Sequence, residues 1–251
     1  NADDKNGALM LQNTLAKKYT YALKTYADFK AQILENQFSG LLLKIDNNEV
    51  WVKLIGNFNA YNLLAIYATA ILLGEESLET LQLMSKLDNV DGRFQYSISE
   101  KNITTIVDYA HTPDALKNVL ETINTIRTGN EELITVVGCG GDRDVEKRPK
   151  MGNIAASLST KVIFTSDNPR SEEPQAIVDE IEKGVEPQNY KKVVTIVDRK
   201  QEIKTACQMA KANDIILVAG KGHETYQEIN GERFDFDDFK IVKEFLKQLQ
   251  K

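Results

Sequence analysis

The residues able to do chemistry together are Asp108, His111, Asp142, Arg143, Asp167, Asn168, Arg170, Lys221, His223 and Glu224. They stand in four short polar stretches, each after an apolar run. "TTIVDY" leads into "AHTPD", "LITVVG" into "CGGDRD", "KVIFTS" into "DNPRSEEP", and "IILVAG" into "KGHE". Carboxylates and guanidiniums at neighbouring strand ends suit a small ligand of both charges, and a zwitterionic amino acid is the simplest such ligand. Arg143 and Arg170 can each grip a carboxylate through two parallel hydrogen bonds, and Pro169 fixes φ just before Arg170, leaving that loop fewer conformations. Each stretch also has a structural reading. Thr112-Pro113, Ser171 and Pro174 are good helix starts, and Gly-rich turns commonly follow strands. Taken together, the four stretches favour a shared site.

These loops admit two further readings. "GCGGDR" has Gly138 and Gly140 but carries Arg143 where a dinucleotide fingerprint needs its third Gly, and that side chain would crowd a pyrophosphate. His111 and His223 are the only histidines. As a pair they could hint at acid-base work or a metal, but their neighbours are those of tight turns, and turn-shaping is the favoured reading.

The elements that must position these residues change character along the chain. The first 55 or so residues read as β-rich, with "YALKTYAD", then "GLLLKID" and "EVWVKLI" flanking Asn47-Asn48 as a hairpin turn. Asn59 to Leu73 is apolar almost all round, which predicts a buried helix ending at Gly74, with Asn59 as a cap and Asn62 in need of a partner. From about Gly92 strands alternate with amphipathic helices. The strands, including "KVVTIV", are continuous Val/Ile runs, as expected where both faces of a parallel sheet are covered. Helical stripes follow at Leu116, Val119, Leu120 and Ile123, then at Met151, Ile154, Ala155 and Leu158. Two more comprise Ile203, Ala206, Cys207 and Ala210, and Val242, Phe245, Leu246 and Leu249. The expected fold is α/β: a doubly wound, Rossmann-like domain with a mostly parallel sheet over 92–251, after the β-rich tail of another domain over 1–91.

With 251 residues, 42% of them apolar, the chain can bury a full core. Its net charge is -6 and its expected isoelectric point about 5.2, with Lys and Arg scattered, so neither a nucleic-acid track nor a membrane patch is indicated. Cys139 and Cys207 are the only cysteines and show no metal-ligand spacing. They read as small buried apolar residues in a reducing cytoplasm. The first residue is Asn rather than Met, and "NADDKNG" reads as the middle of a longer protein.

"GNFNAYNLLA", "DGRF", "VDYAHTPDAL", "GCGGDRDVEKRP", "SDNPRSEEP" and "AGKGHETYQ" follow one another across the whole chain. In this order and at these separations they resemble the Mur ligase family, and within it the branch that adds meso-diaminopimelate to UDP-N-acetylmuramoyl-L-alanyl-D-glutamate in peptidoglycan synthesis. The resemblance implies that 1–91 is the incomplete end of the family's central ATP-binding domain and 92–251 its C-terminal, amino-acid-binding domain.

It also implies ATP-dependent amide formation. A terminal carboxylate becomes an acyl phosphate, Mg²⁺ and cationic side chains stabilise the transferring phosphoryl group, and an amine attacks. By motif, Asn62 lies by the adenine, Arg93 approaches the phosphates and Asp108 holds the ribose. Arg143, Asp167, Asn168, Pro169, Arg170, Gly220 and Glu224 form the diaminopimelate pocket, with Arg170 reading the second carboxylate that lysine lacks. The family's phosphate loop, of the G-x-x-x-x-G-K-[ST] type, is not in the sequence. No catalytic residue or metal ligand is therefore assigned within the chain, and the piece alone is expected to be inactive. A monomer is expected. The competing readings are a lysine-adding or polymer-forming relative and a non-catalytic amino-acid-binding module.

Overall fold

The computed structural model describes residues 1–251, which form two compact units, Asn1–Asn89 and Val90–Lys251.

The first unit opens with a short helix α1 (Lys5–Met10), followed by strands β1 (Tyr21–Ala22), β2 (Phe29–Gln37), β3 (Gly40–Ile45) and β4 (Asn48–Val52). The strands form one sheet in chain order. Helices α2 (Asn57–Leu72) and α3 (Ser77–Met84) follow. Alternation along β3 sends Leu41, Leu43 and Ile45 into a core with Leu63, Leu64 and Tyr67 of α2.

Several expectations need correction here. The β3–β4 turn is Asp46-Asn47, one residue earlier than Asn47-Asn48. Ile45 pairs with Asn48, and the two turn residues have φ of 45° and 64°, the double left-handed geometry that matches hairpin twist. "YALKTYAD" yields only the two-residue β1. The long strand is "FKAQILENQ", whose apolar alternation is interrupted where the register shifts between Ile33 and Glu35. Helix α2 begins at Asn57 after Gly56. The Asn59 amide donates to the Ile55 carbonyl oxygen at 2.8 Å instead of capping the helix. Nor is α2 buried all round, since Ile66 and Leu72 are exposed.

The second unit contains β5 (Gln95–Ile98), β6 (Thr104–Asp108), α4 (Pro113–Ile126), β7 (Leu133–Cys139), α5 (Lys147–Leu158), β8 (Lys161–Ser166) and α6 (Pro174–Glu182). A 3₁₀ turn at Pro187–Lys192 leads to β9 (Val193–Thr195), α7 (Arg199–Met209), β10 (Ile215–Ala219), β11 (Tyr226–Ile229), β12 (Glu232–Asp235) and α8 (Asp238–Gln248). The main sheet runs β5-β6-β10-β7-β8-β9, parallel except for β5. Strands β6, β7 and β10 are buried at every position, which explains their unbroken apolar sequence. Ile203, Ala206 and Cys207 of α7, with Val242 and Leu246 of α8, cover one face, while α4, α5 and α6 pack on one another in sequence. This is the doubly wound arrangement the alternation predicts.

The edges depart from the sequence reading. "KVVTIV" gives only three residues of half-exposed strand, and the β11–β12 hairpin and antiparallel β5 were not anticipated. Thr112 caps α4 by accepting the Ala115 N–H, with Pro113 in the first turn. Ser171 does not cap α6. Its hydroxyl donates to Asp142 Oδ1 at 2.7 Å, and Glu173 precedes Pro174 at the helix start.

Candidate functional site

A cleft of about 330 Å³ lies beyond the carboxyl ends of β6, β7, β8 and β10, where ligands bind in open α/β sheets. Of the residues expected at the rim, His111, Arg143, Asp167, Asn168, Arg170 and Glu224 line it, and so does Gly220. Tyr109, Thr112, Asp144 and Lys147 also line it, and the sequence reading missed them as site residues. All four stand within the motifs "VDYAHTPDAL" and "GCGGDRDVEKRP", and that placement was their signal.

Asn168 organises the pocket side of the third loop. Its Nδ2 donates to Glu224 Oε2 at 2.8 Å, while its Oδ1 accepts from Lys221 Nζ at 3.0 Å and from the Glu228 backbone N–H at 2.9 Å. Lys221 is completely buried and lies beneath the rim. Its ammonium sits 3.2 Å from Glu224 Oε2 and 5.4 Å from the Tyr226 ring centroid. It fixes Asn168 and Glu224 and does not line the cleft.

Asp167 is buried where β8 ends. Burial raises its carboxyl above the ordinary range, and Arg199 and Lys221 offset this only in part. Gly220 makes room for it. At φ 121° a Cβ there would lie 2.6 Å from Asp167 Oδ2.

Arg170 has a left-handed backbone, φ 51°, which is costly for a branched-off side chain and is held from outside. Its N–H donates to the Glu228 carbonyl oxygen at 3.1 Å, and its own carbonyl accepts the Asn230 N–H at 2.7 Å, so the β11–β12 hairpin grips the loop. Nη1 donates to the Gly141 carbonyl oxygen at 2.8 Å, and Nε lies 3.8 Å from Glu228 Oε2. Pro169 does not line the cleft. Its carbonyl oxygen occupies the space a Cβ on Gly141 would need, 1.9 Å away, which gives that glycine a steric reason independent of any dinucleotide. Arg143 is exposed, with Nη1 donating to the Asp142 carbonyl oxygen at 3.0 Å.

Four expected residues stand elsewhere. Asp142 turns to Ser171, and Lys221 lies below the cleft. His223 is exposed, with its ring 5.1 Å from that of Tyr109. Asp108 is buried, and its Oδ2 accepts the Phe94 N–H at 2.6 Å. Burial raises its carboxyl and that N–H lowers it in part. His111 bonds through Nδ1 to the Tyr109 carbonyl at 2.8 Å, as expected of a turn residue.

Of the other residues suggested for ATP, Arg93 is exposed with its guanidinium 4.6 Å from the Tyr109 ring centroid, so it can meet an anion. Asn62 is exposed on α2 and donates to Asn59 Oδ1 at 3.3 Å, so the desolvation penalty expected for it does not arise. No group of three or more His, Cys, Asp or Glu that could hold a metal ion is present. Both cysteines are buried, which pushes each thiol up to about 12, the behaviour of small core residues.

The second unit is a doubly wound α/β domain whose strand ends converge on a cleft of mixed charge. The family described as "Mur ligase, glutamate ligase domain" matches residues 92–222, and the chain belongs to the Mur ligase family. It is 57% identical, over 100% of its length and 51% of the relative's, to the UDP-N-acetylmuramoyl-L-alanyl-D-glutamate--2,6-diaminopimelate ligase of Cytophaga hutchinsonii. It is 52% identical to the protein of the same name from Bacteroides thetaiotaomicron, over 97% of this chain and 51% of that one. A solved structure of that name superposes with TM-score 0.67 at 37% identity, covering 99% of this chain and 52% of the other. The UDP-N-acetylmuramate-alanine ligase of Thermotoga maritima, at 19% identity and TM-score 0.64 over 92% and 48% of the two chains, shares the fold. The chain spans about half the length of the curated relatives it matches. No helix is long and apolar enough to cross a membrane.

Proposed function

We propose that the chain is the amino-acid-binding half of an ATP-dependent ligase that joins meso-diaminopimelate to UDP-N-acetylmuramoyl-L-alanyl-D-glutamate. The observation that carries this reading is the gathering of Arg143, Arg170, Asp167 and Glu224 on one cleft, two cations and two carboxylates for a molecule with two amino-acid heads. The names of the relatives agree with it. ATP supplies the phosphoryl group that activates the acceptor carboxylate. This chain's part is to hold the incoming amino acid so that its amine arrives oriented. Arg170 pairs with the distal carboxylate, which lysine lacks, while Asn168 and the Lys221-anchored Glu224 take the polar remainder of that head. Arg93 offers an exposed cation for a phosphate, and the first unit is the closing part of the ATP-binding domain.

The test is an assay of the full-length protein with ATP, the nucleotide dipeptide and either meso-diaminopimelate or L-lysine. The former is the expected substrate. Arg170→Ala should lower kcat/KM for it by roughly 30- to 1000-fold, about 2 to 4 kcal/mol for a charge-assisted bidentate contact, with the KM for ATP within about twofold. Equal use of lysine, or unchanged diaminopimelate kinetics in Arg170→Ala, would overturn this assignment of the pocket.

A further inference from the structure

The two arginines of the cleft sit on separate loops, residues 140–143 and 168–173, and one buried side chain spans both. Arg148, on α5, is 1% exposed. Its Nη2 donates to Glu172 Oε1 at 2.8 Å and its Nη1 to Glu172 Oε2 at 2.9 Å. Nη1 also reaches Glu180 Oε2 at 2.7 Å, and Nη2 the Gly140 carbonyl oxygen at 3.3 Å. Glu172 passes the contact on, because its Oε1 accepts the Asp142 N–H at 2.6 Å.

Further bonds close the ring. The Ser171 hydroxyl donates to Asp142, the Gly141 N–H to the Asn168 carbonyl oxygen at 2.9 Å, and Arg170 Nη1 to the Gly141 carbonyl oxygen at 2.8 Å. The loop of Arg143 and the loop of Arg170 are therefore bonded to each other and, through Glu172, to one fixed guanidinium.

We propose that Arg148 and Glu172 form a positioning brace that sets the spacing of Arg143 and Arg170, and so governs recognition of the amino acid without touching it. Arg148 is buried while Glu172 stays part exposed, and the bonds between them fix the geometry of both loops at once. The flat two-pronged contact of Arg148 is one that Lys cannot reproduce. The inference rests on the reading of the cleft as the amino-acid site.

The test is steady-state kinetics of the full-length protein carrying Glu172→Gln, Arg148→Lys or Arg170→Ala, and the Glu172→Gln/Arg170→Ala pair. Glu172 is part exposed, so its Gln variant keeps a folded protein in hand even if Arg148 variants do not fold. Glu172→Gln should raise the KM for meso-diaminopimelate by about tenfold, leave that for ATP within about twofold, and add less than about twofold once Arg170 is gone. Arg148→Lys, if it folds, should raise that KM as Glu172→Gln does, because an ammonium cannot make the two-pronged contact. If Arg170→Ala raises that KM but Glu172→Gln does not, the brace is overturned and the cleft reading stands. A Glu172→Gln effect that persists undiminished in the Arg170→Ala background overturns it too, since the pair would then act independently. If Arg170→Ala itself changes nothing, the amino-acid reading falls, and the inference falls with it.

Discussion

Glu202 is a carboxyl group in the core, 0% exposed on α7, and burial holds its pKa well above the carboxylate range. The folded state therefore binds a proton that the unfolded chain releases as pH rises past about 4.5, the ordinary value. The associated stability is complete below that pH and is lost as pH climbs through the folded value. Asp3 has the opposite sign. Desolvation opposes its charge, but the N–H groups of Lys24 and Thr25 and the hydroxyls of Thr25 and Tyr61 lower its pKa overall, so its contribution is present at neutral pH and lost on strong acidification. In urea unfolding followed from pH 5 to 9, Glu202→Gln should flatten the alkaline fall in stability of the second unit relative to wild type. Asp108 and Asp167, also raised by burial, contribute the same sign in both proteins, so the difference isolates Glu202. An unchanged slope would mean that Glu202 is ionised when folded. Residue types told the sequence reading which groups could meet a zwitterion, and six of those ten strand-end residues do line the cleft. Lys221 and Asp142 were misplaced because direction is a backbone property. Lys221 points below the rim, and Asp142 at φ 53° turns toward the neighbouring loop.

Helices α7 and α8 are joined at their first turns by an ion pair with no exposure on either side. Arg199 Nε donates to Asp238 Oδ1 at 3.0 Å and Nη2 to Oδ2 at 2.8 Å, with the Ala219 carbonyl oxygen 3.2 Å from Nη2. Removing one partner strands a buried charge, so Asp238→Ala should cost about 3–5 kcal/mol in denaturant unfolding. The apolar pair Arg199→Met/Asp238→Leu should recover most of that loss. A double variant no more stable than Asp238→Ala would contradict this account. The Arg199–Asp238 and Arg148–Glu172 pairs were invisible in the sequence, because each joins residues far apart in the chain whose types alone suggest solvated charge. The central strands were legible because burial on both faces leaves no polar position in β6 or β10 apart from small Thr and a terminal Asp. Strands β9, β11 and β12 were shortened or missed for the converse reason: half or fully exposed, they keep too little of the apolar pattern to stand out.

At the scale of the molecule, each unit has its own core, built around Leu41, Leu63 and Tyr67 in one and Ile134, Ile163 and Val218 in the other. The proposed ligand contacts lie within the second. Calorimetry of the 251-residue chain should therefore show two transitions, of which only that of the second unit, Val90–Lys251, gains stability with meso-diaminopimelate, by about 2.7 kcal/mol at a hundredfold excess over Kd. A gain confined to the unit Asn1–Asn89, or in neither, would count against the placement of the site.

The strand order also bears on how the protein is made. β10 is the last parallel strand to leave the ribosome, yet it lies between two early ones, with Ile215 beside both Thr104 and Leu133. Until it emerges, the nascent chain can form only two separate ribbons, β5 with β6 and β7 with β8 and β9, each presenting a bare apolar edge. Gly220 and Glu224 follow that strand directly, so the pocket closes as the sheet does. A transcript cut short before residue 215 would thus yield an aggregation-prone product with no partial binding capacity.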